Sequence, residues 1–305
     1  MEYISKDSGF EYVLERMNTA LESEFARDTP GRSDLPTAQI VGLPRSGTTI
    51  LYQVLARTAR FGYPSNVMAF FWKAPHVGAY LQQRLSLAAP ELELHSLAGR
   101  TREPLGPHEF GYFWRNALGH SRNSVAPDRA PMRPQELQNT LSLINSAFDK
   151  PTVFKNLLAV SHVELFGTQL QNQYFLNIVR EPIEVAASLL LVRDRLGLDV
   201  NEWFGTIPAD DNILFDNEIK QVTHQVQSLT STIRASGIHS QSFCLTIDYR
   251  DLCARPRSVA QEAGDFVGEV VSNSDLERLP ETLTPSTPLD RLSPERRKLL
   301  IKSFG

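Results

Sequence analysis

Cysteine is nearly missing from this sequence, with only Cys244 and Cys253 among 305 residues. Two thiols at that spacing are too few for a disulfide framework or a zinc site in a chain of this length. The core must therefore come from apolar packing, which 41% hydrophobic residues over 305 positions can supply. No run of about eighteen apolar residues occurs, and the opening MEYISKDSGFEYVLERM has neither the basic start nor the apolar stretch of a secretion signal. The expectation is a soluble, cytoplasmic protein with no transmembrane segment. Positive charge is scarce too: 31 Lys and Arg stand against 35 Asp and Glu, a net charge of −4. That balance excludes a protein that coats nucleic acid through charge alone and confines any anion site to a local pocket. Internal repeats and low-complexity tracts are absent as well.

What the sequence does contain is a repeated strand-then-helix pattern. Phe10, Val13, Leu14, Met17, Leu21 and Phe25 recur at three- and four-residue steps and predict an amphipathic helix over 7–27, followed by the turn-rich connector DTPGRSDLPT. A short β-rich run at 38–43 leads into a helix over 47–60. The pattern returns at PTVFKN (151–156), YFLNIVR (174–180) and SFCLTIDY (242–249), each followed by helical sequence. Val222, Val226, Leu229 and Ile233, extended upstream by Phe215 and Ile219, mark the clearest long helix. This alternation predicts an α/β fold of three layers, a parallel sheet of about five strands flanked by helices. The chain reads as one domain, with an N-terminal helix and connector over 1–37, a core over 38–256 and C-terminal helices and loop over 257–305. Segments 96–110, 119–135 and 272–294, rich in Pro, Gly, Ser and Arg and without a sustained period, read as loops or lids. Ligands of parallel sheets sit beyond the carboxyl ends of strands, so chemistry is expected in the loops after Leu43, Asn156, Arg180 and Tyr249.

The run Gly42-Leu-Pro-Arg-Ser-Gly47-Thr48-Thr49 spaces its glycines as the phosphate loop G-x-x-x-x-G-K-[ST] does, but Thr48 stands where the lysine belongs. Glycines let backbone wrap an anion without Cβ clashes, and the free N–H groups that open the next helix point at it with partial positive charge. Arg45 adds a cation inside the loop, and Thr48 and Thr49 add hydroxyls. The missing lysine argues against a nucleoside triphosphate kinase, while leaving an altered one open. The bland alternative is an ordinary turn after a strand.

A second anion site is written in YFLNIVREPIEVAASLLLVR, where a strand ends at Arg180, turns through Glu181-Pro182 and enters a helix with Ser188 eight residues on. The planar fork of Arg180 suits a phosphate held by two hydrogen bonds, with Ser188 adding a third. The alternative pairs Arg180 with Glu184 and leaves Ser188 as a small helix residue.

Together, GLPRSGTTIL and IVREPIEVAAS resemble the 5′-phosphosulfate loop and the 3′-phosphate motif of sulfotransferases that use 3′-phosphoadenosine 5′-phosphosulfate (PAPS), in the same order and separation. VFKNL (153–157) and IDYRDL (247–252) resemble that family's lysine after a strand and its Tyr-Glu-Asp-Leu segment, so the resemblance covers about 38–256. It is closer to bacterial and carbohydrate-type members. The glycine-rich C-terminal motif of the cytosolic animal enzymes is missing, and Lys155-Asn156-Leu157 replaces the Lys-Thr-His run that carries their base. The resemblance implies a P-loop-NTPase-like fold and PAPS as co-substrate without a metal. It places Arg45, Ser46, Gly47, Thr48 and Thr49 at the 5′ end, Arg180 and Ser188 at the 3′-phosphate and Tyr249 against the adenine. Arg45 and Lys155 would stabilise the leaving group, and the acceptor would be a small molecule, carbohydrate or lipid, with no nucleic-acid partner.

The base must come from elsewhere, and GPHEFGYFWR (106–115) is the densest candidate. His108 and Glu109 adjoin Phe110, Tyr112, Phe113 and Trp114, and apolar walls raise a carboxyl's pKa towards a useful range, which favours Glu109 with His108 second. The alternative makes Glu109 a helix-start residue and the aromatics core. His76 and His162 read as surface or packing histidines. Arg100, Arg102, Arg115, Arg122, Arg129 and Arg133 outnumber the acids of 99–133, which fits an anionic acceptor, a lid over the nucleotide, or a solvated face. A divergent small-molecule kinase and a non-catalytic nucleotide-binding protein are the rival readings.

Overall fold

Helix α1 spans Ser8–Phe25 and is followed by strand β1, Thr37–Gly42, and helix α2, Thr48–Arg57, in a computed structural model that describes residues 7–25, 28, 34–86, 92–95, 99 and 101–305. The middle of the connector, the 96–98 part of the first loop segment and Arg100 lie outside the described residues. Helices α3 (Pro75–Ser86), α4 (Gly111–Leu118) and α5 (Pro134–Phe148) precede strand β2 (Thr152–Lys155). Strand β3 (Gln173–Val179) runs into α6 (Pro182–Leu196) and α7 (Glu218–Ala235). Strand β4 (Cys244–Asp248) leads to α8 (Tyr249–Ala254), α9 (Pro256–Val267), the single turn α10 (Asn273–Leu276) and α11 (Pro294–Phe304).

The four strands stand where the β-rich runs predict them and pair in parallel in the order β2, β1, β3, β4; no fifth strand joins them among the described residues. Successive residues sort to opposite faces, as a period of two requires. Ala38, Ile40, Val153, Leu176 and Ile178 pack with Leu51 and Leu55 of α2 and with Val259 and Ala263 of α9. Val41, Phe154 and Phe175 face the other way, against Val185 and Leu189 of α6 and Val222 and Val226 of α7. Helices thus cover both faces of the sheet, the arrangement a parallel sheet needs to hide two apolar surfaces. Asn217 starts α7 by accepting the N–H of Lys220 at 3.0 Å, which leaves Phe215 outside the helix and the Ile219–Ile233 stripe buried within it.

Helix α1 departs from its predicted burial. Leu14 is buried, but Phe10 and Val13 are 47% and 58% exposed. The residue that docks the helix is Asn18, whose amide donates to the carbonyls of Leu14 (2.9 Å) and Phe70 (2.7 Å) and whose oxygen accepts the N–H of Lys73 (2.9 Å). A polar side chain with its hydrogen bonds satisfied can be fully buried, so attachment here runs through one amide and not through a whole apolar face.

Because all strands run the same way, Lys155, the loop after β1, Arg180 and Tyr249 emerge at one edge of the sheet. The chain leaves β1 towards β2 and leaves β3 towards β4, in opposite directions, which opens a crevice at the carboxyl ends of the two central strands.

Candidate active site

Two glycines shape the loop at that crevice. Gly42 has φ 143°, and a Cβ on it would come within 2.5 Å of the Ile178 carbonyl oxygen. Gly47 has φ 113°, and a Cβ there would come within 2.5 Å of Cδ2 of Tyr249. Backbone therefore presses on β3 and on Tyr249 at places with no room for a side chain. Between them Arg45 itself adopts φ 68°, a left-handed turn that costs a non-glycine residue about 1–2 kcal/mol. The guanidinium reaches α6, where Nε donates to Ser188 Oγ at 3.2 Å. Ser46 is buried and its hydroxyl has no hydrogen-bond partner among the described residues. The first turn of α2 contains no acidic residue, so no side chain of that turn offsets the positive helix end. An orphan buried hydroxyl beside an uncompensated helix N-terminus fits the 5′ phosphosulfate of PAPS.

Cations converge on the same place. Lys155, 6% exposed at the end of β2, donates from Nζ to Thr49 Oγ1 at 2.9 Å and forms an ion pair with Glu109. Gly99 crosses in front of these groups: a Cβ on it would stand 3.4 Å from Thr49 Oγ1, 3.7 Å from Lys155 Nζ and 3.8 Å from Arg45 Nη1. A hydroxyl, an ammonium and a guanidinium therefore reach one small volume. Arg180, whose side chain is 7% exposed, donates from Nη1 to the Arg45 carbonyl (3.3 Å) and from Nη2 to the Ser286 carbonyl (2.6 Å). Its guanidinium carbon lies 4.3 Å from the centre of the Tyr249 ring. Burial, and after it the charge of Arg180, pushes the pKa of Arg45 down, while Tyr249 and Glu109 act in the opposite sense. A guanidinium stays protonated in proteins, so this depression marks a cation held at an energetic disadvantage that an anion would relieve.

The loop after β1 and the motif after β3, separate in sequence, are joined by the Arg45–Ser188 and Arg180–Arg45 hydrogen bonds. The Arg180–Glu184 pair is present as well, at 3.5 Å. Thr48 is buried at the first position of α2, with Thr49 beside it facing Lys155. Tyr249 is 8% exposed; its hydroxyl accepts the Ser286 N–H at 3.0 Å and burial pushes its pKa up. Wedged between Gly47 and Arg180, its ring is a strut under the site with little surface to offer an adenine.

The aromatic residues do not wall Glu109. Phe110, at φ 56°, turns the chain so that Phe110, Phe113 and Trp114 enter the core while the Glu109 side chain remains 50% exposed and meets Lys155. His108 turns back on its own backbone, Nδ1 accepting the Phe110 N–H at 2.9 Å.

Other contributors carry no motif. Ser286 lies in a strap tied by the Leu283 N–H to the Cys253 carbonyl (2.8 Å) and by the Leu289 N–H to Glu184 (3.5 Å). Its only sequence signal is Pro285 and Pro288, which keep the segment from continuing as helix. Upstream of Glu109, the Tyr52 hydroxyl lies 3.1 Å from the Pro64 carbonyl oxygen and 3.3 Å from that of His108, and the Tyr63 hydroxyl donates to the Leu105 carbonyl at 3.0 Å. Burial pushes both phenol pKa values up. They remain donors and fix the loop that presents Glu109.

Among the described residues no group of three or more His, Cys, Asp or Glu is placed to hold a metal ion, and no helix is long and apolar enough to cross a membrane. The model of the Sulfotransferase family matches residues 36–272. The fold is similar to that of sulfotransferase STF9 from Mycobacterium avium, with a TM-score of 0.56 and 14% identity over 90% of this chain and 76% of that one. It is similar also to sulfotransferase STF1 from Mycobacterium tuberculosis H37Rv, with a TM-score of 0.53 and 14% identity over 96% of this chain and 81% of that one. No curated protein sequence matches the chain.

Proposed function

The chain belongs to the sulfotransferase family, and from that premise we propose that it moves the sulfuryl group of PAPS to a hydroxyl or amine of a small-molecule, carbohydrate or lipid acceptor by in-line displacement. The observation that carries this reading is the gathering of Thr49, Lys155 and Arg45 on one small volume beside the positive end of α2. When bound, PAPS supplies an activated sulfuryl group on a phosphate leaving group. The residues of this chain align it and balance its charge. Gly47, Thr48 and Thr49, with the buried Ser46 hydroxyl, hold the 5′ end. Arg45 faces the negative charge that grows on the leaving oxygen and acts as a fixed cation, because a guanidinium gives up no proton. Lys155, steadied by Thr49 and Glu109, assists from the neighbouring strand end. Arg180 and Ser188 hold the 3′-phosphate and so distinguish PAPS from ordinary adenine nucleotides. Glu109 takes the proton of the acceptor, with His108 the second candidate for that role.

Thermal unfolding in EDTA tests the cofactor. A ligand bound by the folded form alone raises Tm: adenosine 3′,5′-bisphosphate is expected to do so and ATP to do so weakly. A shift that appears with ATP and Mg²⁺ and not with the bisphosphate would replace this reading by the kinase. A bisphosphate shift without transfer to any of a broad acceptor panel would support the non-catalytic protein.

Glu109→Gln tests the base. Turnover is expected to fall by about 10²- to 10⁴-fold, the usual contribution of a positioned proton acceptor, with the bisphosphate shift kept. Turnover at the wild-type rate would remove Glu109 from the role.

A further inference from the structure

Arg115 stands apart from the other arginines of its region. Arg122 pairs with Asp211 and Arg133 with Glu136, while Arg129 is exposed to solvent. Arg115 is half-buried and, among the described residues, its guanidinium has neither an ion pair nor a hydrogen bond; it lies over the face of Tyr112, 5.0 Å from the ring centre. Burial alone pushes its pKa down. A partly desolvated guanidinium without a carboxylate is disfavoured until an anion meets it.

The stack is held in place from below. The Tyr112 hydroxyl donates to Glu11 of α1 at 2.6 Å, and the Tyr112 ring lies 4.9 Å from that of Trp72. Helical side chains lean towards the N-terminus of their helix, and Arg115 does so: Nη1 would lie 3.2 Å from a Cβ on Gly111. Glycine at 111 therefore leaves room for the guanidinium at the end of α4 that follows Glu109 and Phe110. Gly111 stands two residues from Glu109, a stretch of chain that spans no more than about 7 Å, so the guanidinium over Gly111 sits at the end of α4 nearest Glu109.

We propose that Arg115 binds an anionic group of the acceptor, a carboxylate, phosphate or sulfate, while the nucleophilic hydroxyl or amine of the same molecule faces Glu109. The acceptor class is then an anionic alcohol or amine. A guanidinium can meet such a group through two parallel hydrogen bonds, a geometry a lysine does not reproduce. This inference rests on the sulfotransferase reading and names the substrate class of that site.

The test uses matched probes added to the full chain saturated with adenosine 3′,5′-bisphosphate: 4-hydroxyphenylacetate and its methyl ester, glucuronate and glucose, glycerol 3-phosphate and glycerol. Calorimetric binding needs no turnover. Wild type is expected to bind at least one anionic member about tenfold or more tightly than its neutral partner. Arg115→Met should erase that preference and Arg115→Lys restore only part of it, since a bidentate charged contact is worth roughly ten- to hundredfold. Where a probe is also sulfated, Arg115→Met should raise KM and leave kcat nearly unchanged. Neutral probes binding as well as anionic ones, no binding of any anion, or an unchanged preference in a variant that keeps the wild-type Tm would each overturn the proposal. Loss of the bisphosphate shift in wild type would instead remove the sulfotransferase reading beneath it.

Discussion

Replacing Arg45 by alanine is expected to lower kcat by about 10²- to 10³-fold, the loss that follows removal of one preorganised donor from a developing oxyanion, while the Kd of adenosine 3′,5′-bisphosphate changes by less than about fivefold. The leaving oxygen stays on the bisphosphate as part of its 5′-phosphate, where the N-terminus of α2, Thr49 and Lys155 also meet it, so Arg45 is one contact among several in binding and counts most while charge develops in transfer. Two companions separate charge from backbone. Arg45→Gly removes the cation and also the strain of φ 68°, so it should match alanine in turnover and exceed it in Tm, since glycine adopts that conformation freely. Arg45→Lys keeps a charge but not the Nε–H that reaches Ser188, and should recover part of the rate. Steady-state turnover and calorimetric binding measure both quantities. A kcat for alanine within threefold of wild type would end the leaving-group assignment.

Replacing Arg180 is expected to act on binding. Its guanidinium engages the Arg45 carbonyl, the Ser286 carbonyl and the Tyr249 ring at once, and a guanidinium has further N–H bonds for a phosphate. Arg180→Ala should weaken the bisphosphate by about 10- to 150-fold, the range for losing hydrogen bonds to a charged group. It should also lower the Tm of the free protein, because the carbonyls of Arg45 and Ser286 and the Glu184 carboxylate lose a partner. Arg180→Lys should rescue little, since a single ammonium cannot span two carbonyls and lie flat on a ring. If calorimetry gives alanine the wild-type Kd, the 3′-phosphate is held elsewhere.

What the sequence discloses here is what local patterning controls. Strand runs such as TAQIVG and QYFLNIV alternate between two cores, so their places are legible residue by residue. The glycine turn is legible because Gly42 and Gly47 answer a steric demand of the backbone itself. Helix α1 shows the limit: its spacing marks a face, but Phe10 and Val13 meet solvent because Asn18 makes the attachment. Helices α3 and α5 escape for a related reason, since each mixes polar and apolar residues along buried positions, Gln82 and Asn145 among them.

The site divides the same way. Lys155 and Glu109 are each conspicuous in sequence, yet their pairing across 46 residues is not. Nor does the aromatic run after Glu109 reveal that a single left-handed residue, Phe110, sends those rings inward and the carboxylate outward. Arg45 and Ser188 are separated by 143 residues and Arg180 and Ser286 by 106; contacts of that range depend on which strands become neighbours, which no short pattern encodes.

The peptide group of Ser286 bears on where this protein can be trimmed. Family similarity stops at residue 272, and a chain ended there would retain every strand and both glycines of the turn. It would lose the carbonyl that Arg180 grips and the N–H that Tyr249 accepts, leaving an arginine and a phenol bare at the mouth of the crevice. Boundaries for expression or for mutant libraries therefore belong beyond Leu289, where the last tie of the strap meets Glu184.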